Sequence, residues 1–186
     1  MWRLIGITLP QYEDWQKEKQ IILSLLQSNQ IEYFHIRKPN FDLNQMSLWL
    51  KDFPLEYRER LSLHDCVELA KEFQIGGVHL NKRNNYTPPL GFQGRISRSC
   101  HSISEVVEWK PKSDYVFLSP IYNSISKAGY ESRFTEKELK KAVAEGIIDS
   151  KVFALSGVDF KKLPELRKIG FSSAAMLGCL WQNNEN

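Results

Sequence analysis

Short apolar runs alternate with stretches of helical spacing along the whole of this 186-residue chain. Residues 4–8 (LIGIT) read as a first strand, and residues 14–27 place Trp15, Ile22, Leu25 and Leu26 on one helical face. Further strands are predicted at 33–37, 60–64, 77–80, 95–98, 115–118, 151–155 and 173–177. Helices are predicted at 43–50, where Pro54 stops the pattern, and at 66–73, 103–109, 134–145 and 160–169, with a short closing helix at the end. After the fourth strand comes a polar, proline-bearing stretch, 81–94, instead of a helix. Parallel neighbours need crossovers, so this alternation predicts a parallel sheet. The strands are continuously apolar, as expected of strands covered on both faces.

Eight such units imply an α/β fold, a compact (β/α)8 TIM barrel at roughly 23 residues per unit. An open doubly wound sheet is the alternative. No GxGxxG follows the first strand, which counts against a dinucleotide-binding version. With no linker-like break in composition, residues 1–186 read as one barrel domain with a disordered tail at 182–186.

Composition narrows the function classes. Hydrophobic residues are 42% and charged residues 25% of the chain, which is ordinary for soluble protein. The net charge is only +3 and the basic residues are dispersed, so no nucleic-acid-binding stripe is expected. Local positive charge still suits small anionic molecules. Cys66, Cys100 and Cys179 show no CxxC spacing and read as reduced thiols of a cytoplasmic protein. The N-terminus turns polar too soon for a signal peptide. No apolar run approaches the roughly 18 residues of a membrane helix. The oligomeric state, a homo-oligomer included, stays open.

In a barrel, chemistry gathers at the carboxyl ends of the strands. Those ends here carry His35, Arg37 and Lys38; His64 and Asp65; His79, Asn81 and Asn84; and Ser99, Cys100 and His101. Pro120 stops the sixth strand, and Ser124, Ser126 and Lys127 follow it. Ser156-Gly157 follows the seventh strand and Leu177-Gly178 the eighth. Cations, short donors and flexible glycines in this arrangement suit a substrate with two phosphate groups, with a metal. Each element has a plainer reading. Arg37-Lys38 fits a solvated charge pair, Asp65 a cap for the helix at Cys66, His79 a packed histidine, Cys100 an apolar filler and Ser156-Gly157 an ordinary turn. Asp65, His79 and His101 match no zinc-ligand spacing, so a zinc site is set aside.

In order, these motifs resemble the thiamine phosphate synthase family and its relatives, the thiazole tautomerases. The carrying stretches are His35-Ile36-Arg37-Lys38, His64-Asp65, Gly77 to Asn84 (GVHLNKRN), Ser97 to His101 (SRSCH), Asp114 to Lys127 with Ser119-Pro120, and Ser156-Gly157-Val158. The resemblance implies a barrel that joins hydroxymethylpyrimidine diphosphate to a thiazole phosphate, releasing diphosphate through a dissociative mechanism. It implies that Arg37, Lys127 and Lys38 hold the diphosphate and that Ser99 hydrogen-bonds it. The resemblance further implies that Asp65 binds Mg2+, with Asn84 beside it. By the same resemblance Ser124, Ser126, Ser156, Gly157, Leu177 and Gly178 are expected to hold the thiazole phosphate. His35 and His64 stand where the family has glutamine and asparagine and are expected at the substrate. Asn84 replaces a second magnesium-binding aspartate, and the second-strand lysine is displaced by one position. Thiazole tautomerase is the alternative activity, although Pro120 occupies the position of that group's proton-transferring histidine. A non-catalytic binder of phosphorylated thiamine precursors is the third reading, motivated by Asn84 and the displaced lysine.

Overall fold

Most strands form where β-branched, aromatic and leucine residues run together without a helical gap. Helices start where a short polar side chain precedes an amphipathic stretch. The computed structural model describes residues 1–123 and 132–181. Its strands are β1 (Arg3–Ile7), β2 (Tyr33–Ile36), β3 (Leu61–Leu63), β4 (Gly77–Leu80), β5 (Arg95–Cys100), β6 (Tyr115–Leu118), β7 (Val152–Ala154) and β8 (Ser173–Met176). They are hydrogen-bonded in sequence order and close into a barrel, and the registered pairs are parallel. The eight predicted strands are present, each within a residue or two of its expected bounds.

The helices are α1 (Trp15–Gln27), α2 (Leu43–Lys51), α3 (Leu55–Arg58), α4 (Ile103–Trp109), α5 (Glu136–Ala144) and α6 (Leu163–Ile169). Asp14 caps α1 by accepting from the Lys17 N–H at 2.9 Å. Asp42 with Gln45 and Thr135 with Glu138 form reciprocal capping boxes on α2 and α5. Gly170, at φ +119°, ends α6 in the left-handed conformation. Two expectations change. Pro54 does not simply stop a helix but precedes the single turn of α3, because proline suits the start of a helix. The helix predicted at 66–73 is a 3-10 turn, Val67–Ala70, entered through Cys66 at φ +51°.

Two compact units make up the described chain: Ile5–Ser97, and Met1–Leu4 with the described residues from Arg98 onward. In the first, Phe34 of β2 pairs with Leu61, His35 with Ser62 and Ile36 with Leu63. The fully buried side chains Ile22, Leu26, Phe34, Trp49, Leu50 and Phe53 fill it, each contributing about 1.5–3 kcal/mol by burial. In the second, Val116, Phe117 and Leu118 of β6 pair with Val152, Phe153 and Ala154. Tyr115, Phe117 and Phe153 form an aromatic cluster there, with ring centroids 5.1–6.2 Å apart. None of the described helices is long and apolar enough to cross a membrane.

Candidate active site

In the Ile5–Ser97 unit, β2 delivers two basic residues to its carboxyl end and sends them opposite ways. Thr8 clamps the first, accepting from the Arg37 N–H at 2.8 Å and donating to the Arg37 carbonyl at 3.2 Å. The Arg37 guanidinium lies near Arg83 and Asp65. Burial and the Arg83 charge pull its pKa down, and Asp65 opposes them. Lys38 turns inward. Its side chain is fully buried, with Nζ 2.6 Å from Glu18 Oε1 and 3.0 Å from the Leu9 carbonyl. The other Glu18 oxygen accepts from Trp49 Nε1 at 3.0 Å. This corrects the expectation that Lys38 holds diphosphate. A carboxylate buried on α1 needs a cation, and Lys38 supplies it.

Asp65 does not cap the turn that follows it, which has no side-chain cap. Instead Oδ2 accepts from the Lys38 backbone N–H at 2.9 Å, and Oδ1 is paired with Arg83 Nε. Arg83 sits on a 3-10 turn, Lys82–Asn84, after β4. Asn81 Oδ1 pins that turn by accepting the Arg83 N–H at 2.9 Å. Asn84 Oδ1 accepts from the Asn81 N–H at 2.9 Å, and its amide donates to the His79 carbonyl at 2.8 Å and the His64 carbonyl at 3.3 Å. A hard divalent cation needs oxygen ligands whose negative charge is not already compensated. Here both Asp65 oxygens and the Asn84 oxygen are engaged by the chain, and a guanidinium stands at Asp65. The residues expected to hold Mg2+ do not fit it as arranged. Sequence reasoning missed Arg83. Its signal was a basic residue next to the asparagine that replaces the expected aspartate.

A cleft of about 370 Å³ opens beside these groups, lined by Phe41, His64, Asp65, Glu68, Arg83 and Asn84 among others. Behind it lies a buried imidazole cluster. His35 Nδ1 and His64 Nε2 share a hydrogen bond of 2.8 Å, and the His64 and His79 rings stack at 4.1 Å with 16° between planes. His79 Nδ1 is 2.9 Å from Ser97 Oγ. Burial, reinforced by His79, holds the pKa of both His35 and His64 well below the ordinary imidazole value. Arg95 adds to this at His35; His35 itself, Arg37 and Arg83 add to it at His64. The ligating nitrogens of the three histidines lie within 4.8 Å of one another. Imidazole lone pairs lie in the ring plane, however, and the planes of the stacked rings are nearly parallel. One ion cannot meet both along their lone pairs, so the cluster reads as a neutral hydrogen-bonded floor. His64 borders the cleft, while His35 is fully buried and hydrogen-bonded to His64.

The second unit carries the other expected residues. Ser99 lies half-buried on β5. His101 Nδ1 lies 3.1 Å from the Ser119 carbonyl and 3.3 Å from its hydroxyl. Cys100 is buried, and burial pushes its thiol up to about 12, too high for a nucleophile at neutral pH. After β7 the backbone turns through Ser156 (φ +81°) and Gly157 (φ +62°). The Ser156 hydroxyl donates to the Tyr122 carbonyl at 3.1 Å, so it is engaged rather than offered to a ligand. A Cβ on Gly157 would lie 2.4 Å from the Asn123 carbonyl oxygen, whereas one on Gly178 meets nothing within 4 Å. Gly157→Ala is therefore expected to destabilise the protein by about 1–3 kcal/mol, from left-handed strain plus the clash, and Gly178→Ala by less than half that. Thermal denaturation of the two variants checks the contrast. Cys179 Sγ lies 3.7 Å from the Val158 carbonyl, which ties together the loops after β7 and β8. Ser124, Ser126 and Lys127 lie outside the described residues. On either side of them, Ser132 donates its backbone N–H to Asn123 Oδ1 and its hydroxyl to the Ile121 carbonyl, both at 2.8 Å.

The chain is similar to several known proteins. A thiamine-phosphate synthase of Synechococcus sp. is 30% identical over 131 residues, which is 68% of this chain but only 36% of that protein's length. One from Dictyoglomus turgidum is 23% identical over 183 residues, covering 95% of this chain and 81% of its own. Among solved structures, a thiamine phosphate pyrophosphorylase from Bacteroides thetaiotaomicron superposes with a TM-score of 0.84 at 37% identity, over 96% of this chain and 84% of that one. A tryptophan synthase alpha-subunit from Pyrococcus furiosus, 12% identical with a TM-score of 0.65, shares the fold alone. Residues 4–180 match the thiamine monophosphate synthase family, and the chain belongs to it.

Proposed function

We propose that the chain is a transferase that joins hydroxymethylpyrimidine diphosphate to a thiazole phosphate, giving thiamine phosphate and diphosphate. The observation that carries this is the pairing of Arg37 and Arg83 around the buried Asp65 carboxylate, beside a cleft at the carboxyl ends of β2 and β3. The bond that breaks joins the pyrimidine methylene carbon to the diphosphate oxygen, and its electrons leave with the diphosphate. The thiazole nitrogen lone pair then forms the new C–N bond. No proton moves in either step, which agrees with a floor of neutral histidines in place of a general base. What the reaction needs is positive charge where the leaving oxygen becomes anionic. Arg37 and Arg83 supply it. In the second unit, the open backbone at Gly178 and the turn at Gly157 suit the phosphate of the thiazole substrate.

The test is diphosphate release by purified protein given both substrates. Release that requires both is the expected result, and Arg37→Ala is expected to lower kcat/KM about 100-fold. Binding of the thiazole phosphate without release would overturn the transferase reading and favour a binding protein. Proton exchange on a thiazole phosphate carboxylate, without release, would make it a tautomerase.

A further inference from the structure

We propose that Arg83 is a built-in cation for the diphosphate and that this chain binds diphosphate without a divalent metal. The inference rests on the synthase reading above and says what neutralises the leaving group in this particular protein. Three observations converge on it. First, the carboxylate best placed to ligate a metal is already neutralised. Asp65 is only 7% exposed, and its two oxygens are taken by the Arg83 guanidinium and the Lys38 N–H. Second, the neighbouring oxygen donor is turned away, because Asn84 Oδ1 is bound to the Asn81 N–H. Third, Arg83 has capacity left. Its side chain is 41% exposed on the wall of the cleft, and among the described residues its side chain's one hydrogen-bond partner is Asp65. A guanidinium has five donors in a planar fork, so after Nε meets Asp65 its terminal nitrogens can still hold two phosphate oxygens.

The surrounding structure fits a fixed charge better than an exchangeable one. The turn that carries Arg83 is pinned by the Asn81 and Asn84 side chains. The Asp65 carboxylate that orients Arg83 is itself fixed by the backbone that follows Arg37. Arg83 and the nearby Arg37 stand against the Asp65 and Glu68 carboxylates of the cleft, so an anion here is held by the open fork of Arg83 and not by a net positive field. An asparagine at position 84 is then coherent. A second carboxylate there would face no metal and would repel the substrate.

The experiment is calorimetric titration of inorganic diphosphate into metal-stripped protein, once in EDTA and once in Mg2+. Wild-type protein is expected to bind in EDTA, with an affinity that Mg2+ changes by less than about threefold. Arg83→Ala is expected to bind at least about tenfold more weakly in EDTA, the loss of a charge-assisted hydrogen bond, and Arg83→Lys to recover part of that loss. Circular dichroism melting of each variant separates lost binding from lost folding, and Arg83→Gln replaces Arg83→Ala if the latter fails to fold. Wild-type binding that requires Mg2+ overturns the inference, and so does unweakened binding by folded Arg83→Ala in EDTA. Diphosphate release from both substrates, run under the same two conditions, keeps the two readings apart. Release in Mg2+ alone overturns the role of Arg83 and leaves the synthase standing. No release in either condition overturns the synthase, while the binding titration still decides the role of Arg83.

Discussion

Replacing Lys38 by methionine is expected to lower the stability of the protein by about 3–5 kcal/mol, the cost of stranding one partner of a buried ion pair. Glu18 and Lys38 are both fully buried, 2.6 Å apart. Burial raises the Glu18 carboxyl pKa and lowers that of the Lys38 ammonium, and their mutual attraction opposes both shifts. Without Lys38, Glu18 must either hold a charge in a low-dielectric interior or take up a proton. The loss is therefore expected to be greater at pH 8 than at pH 5. Glu18→Gln combined with Lys38→Met removes both charges and is expected to recover more than half of the loss. In a protein of this size the single variant should melt roughly 6–20 °C lower. Thermal denaturation of the two single variants and the double variant decides the matter. A melting temperature for Lys38→Met within a few degrees of wild type would show that the pair does not lock α1 to the chain after β2.

The second large effect is a loss of stability on mild acidification. His35 and His64 are held neutral in the fold well below the ordinary imidazole pKa of 6.5, first by burial and then by His79. The unfolded chain takes up protons at these positions as pH falls through 6.5, while the folded chain resists until its depressed values are reached. The unfolded state then binds more protons, so stability rises with pH across this window and is lost as pH falls through it. Each group contributes about 1.4 kcal/mol per pH unit, so the pair contributes on the order of 3 kcal/mol per unit. The double change His35→Gln with His64→Asn, which replaces both imidazoles with side chains that do not titrate in this range, is expected to flatten the dependence. Urea unfolding at pH 7, 6 and 5 measures both. Equal slopes for wild type and the double variant would remove the two imidazoles as the cause.

Much of this protein was legible in its order of residues. Local patterning carries strands and helices, because a side chain's preference for a helical or pleated surface acts within a few residues. Hence β4, β6 and α4 begin and end where the pattern places them, and Asp14, Asp42, Ser102 and Thr135 cap helices as their types demand. The crossovers then imply parallel strands and a barrel. Position along a strand also brings Arg37, His64, Asp65 and Asn84 to one end of the first unit.

Which way each side chain turns at that end was not legible. Arg37 and Lys38 follow directly on the end of β2, yet Arg37 stays at the rim while Lys38 is buried in the interior. The buried carboxylate of Glu18, 20 positions earlier, draws Lys38 inward. Likewise Asp65 offers the same two oxygens to a metal, a helix or an arginine, and only the turn after β4 puts the Arg83 guanidinium on one of them. The three imidazoles look in sequence like independent rim bases, and only folding stacks them into one neutral cluster. The sequence by itself determined the elements, their order and the kinds of chemistry carried at the strand ends, because those follow from local spacing and residue type. The tertiary structure alone decided which charges meet, which are buried and what stands beside Asp65, because partners far apart in the chain become neighbours only when the sheet closes around them.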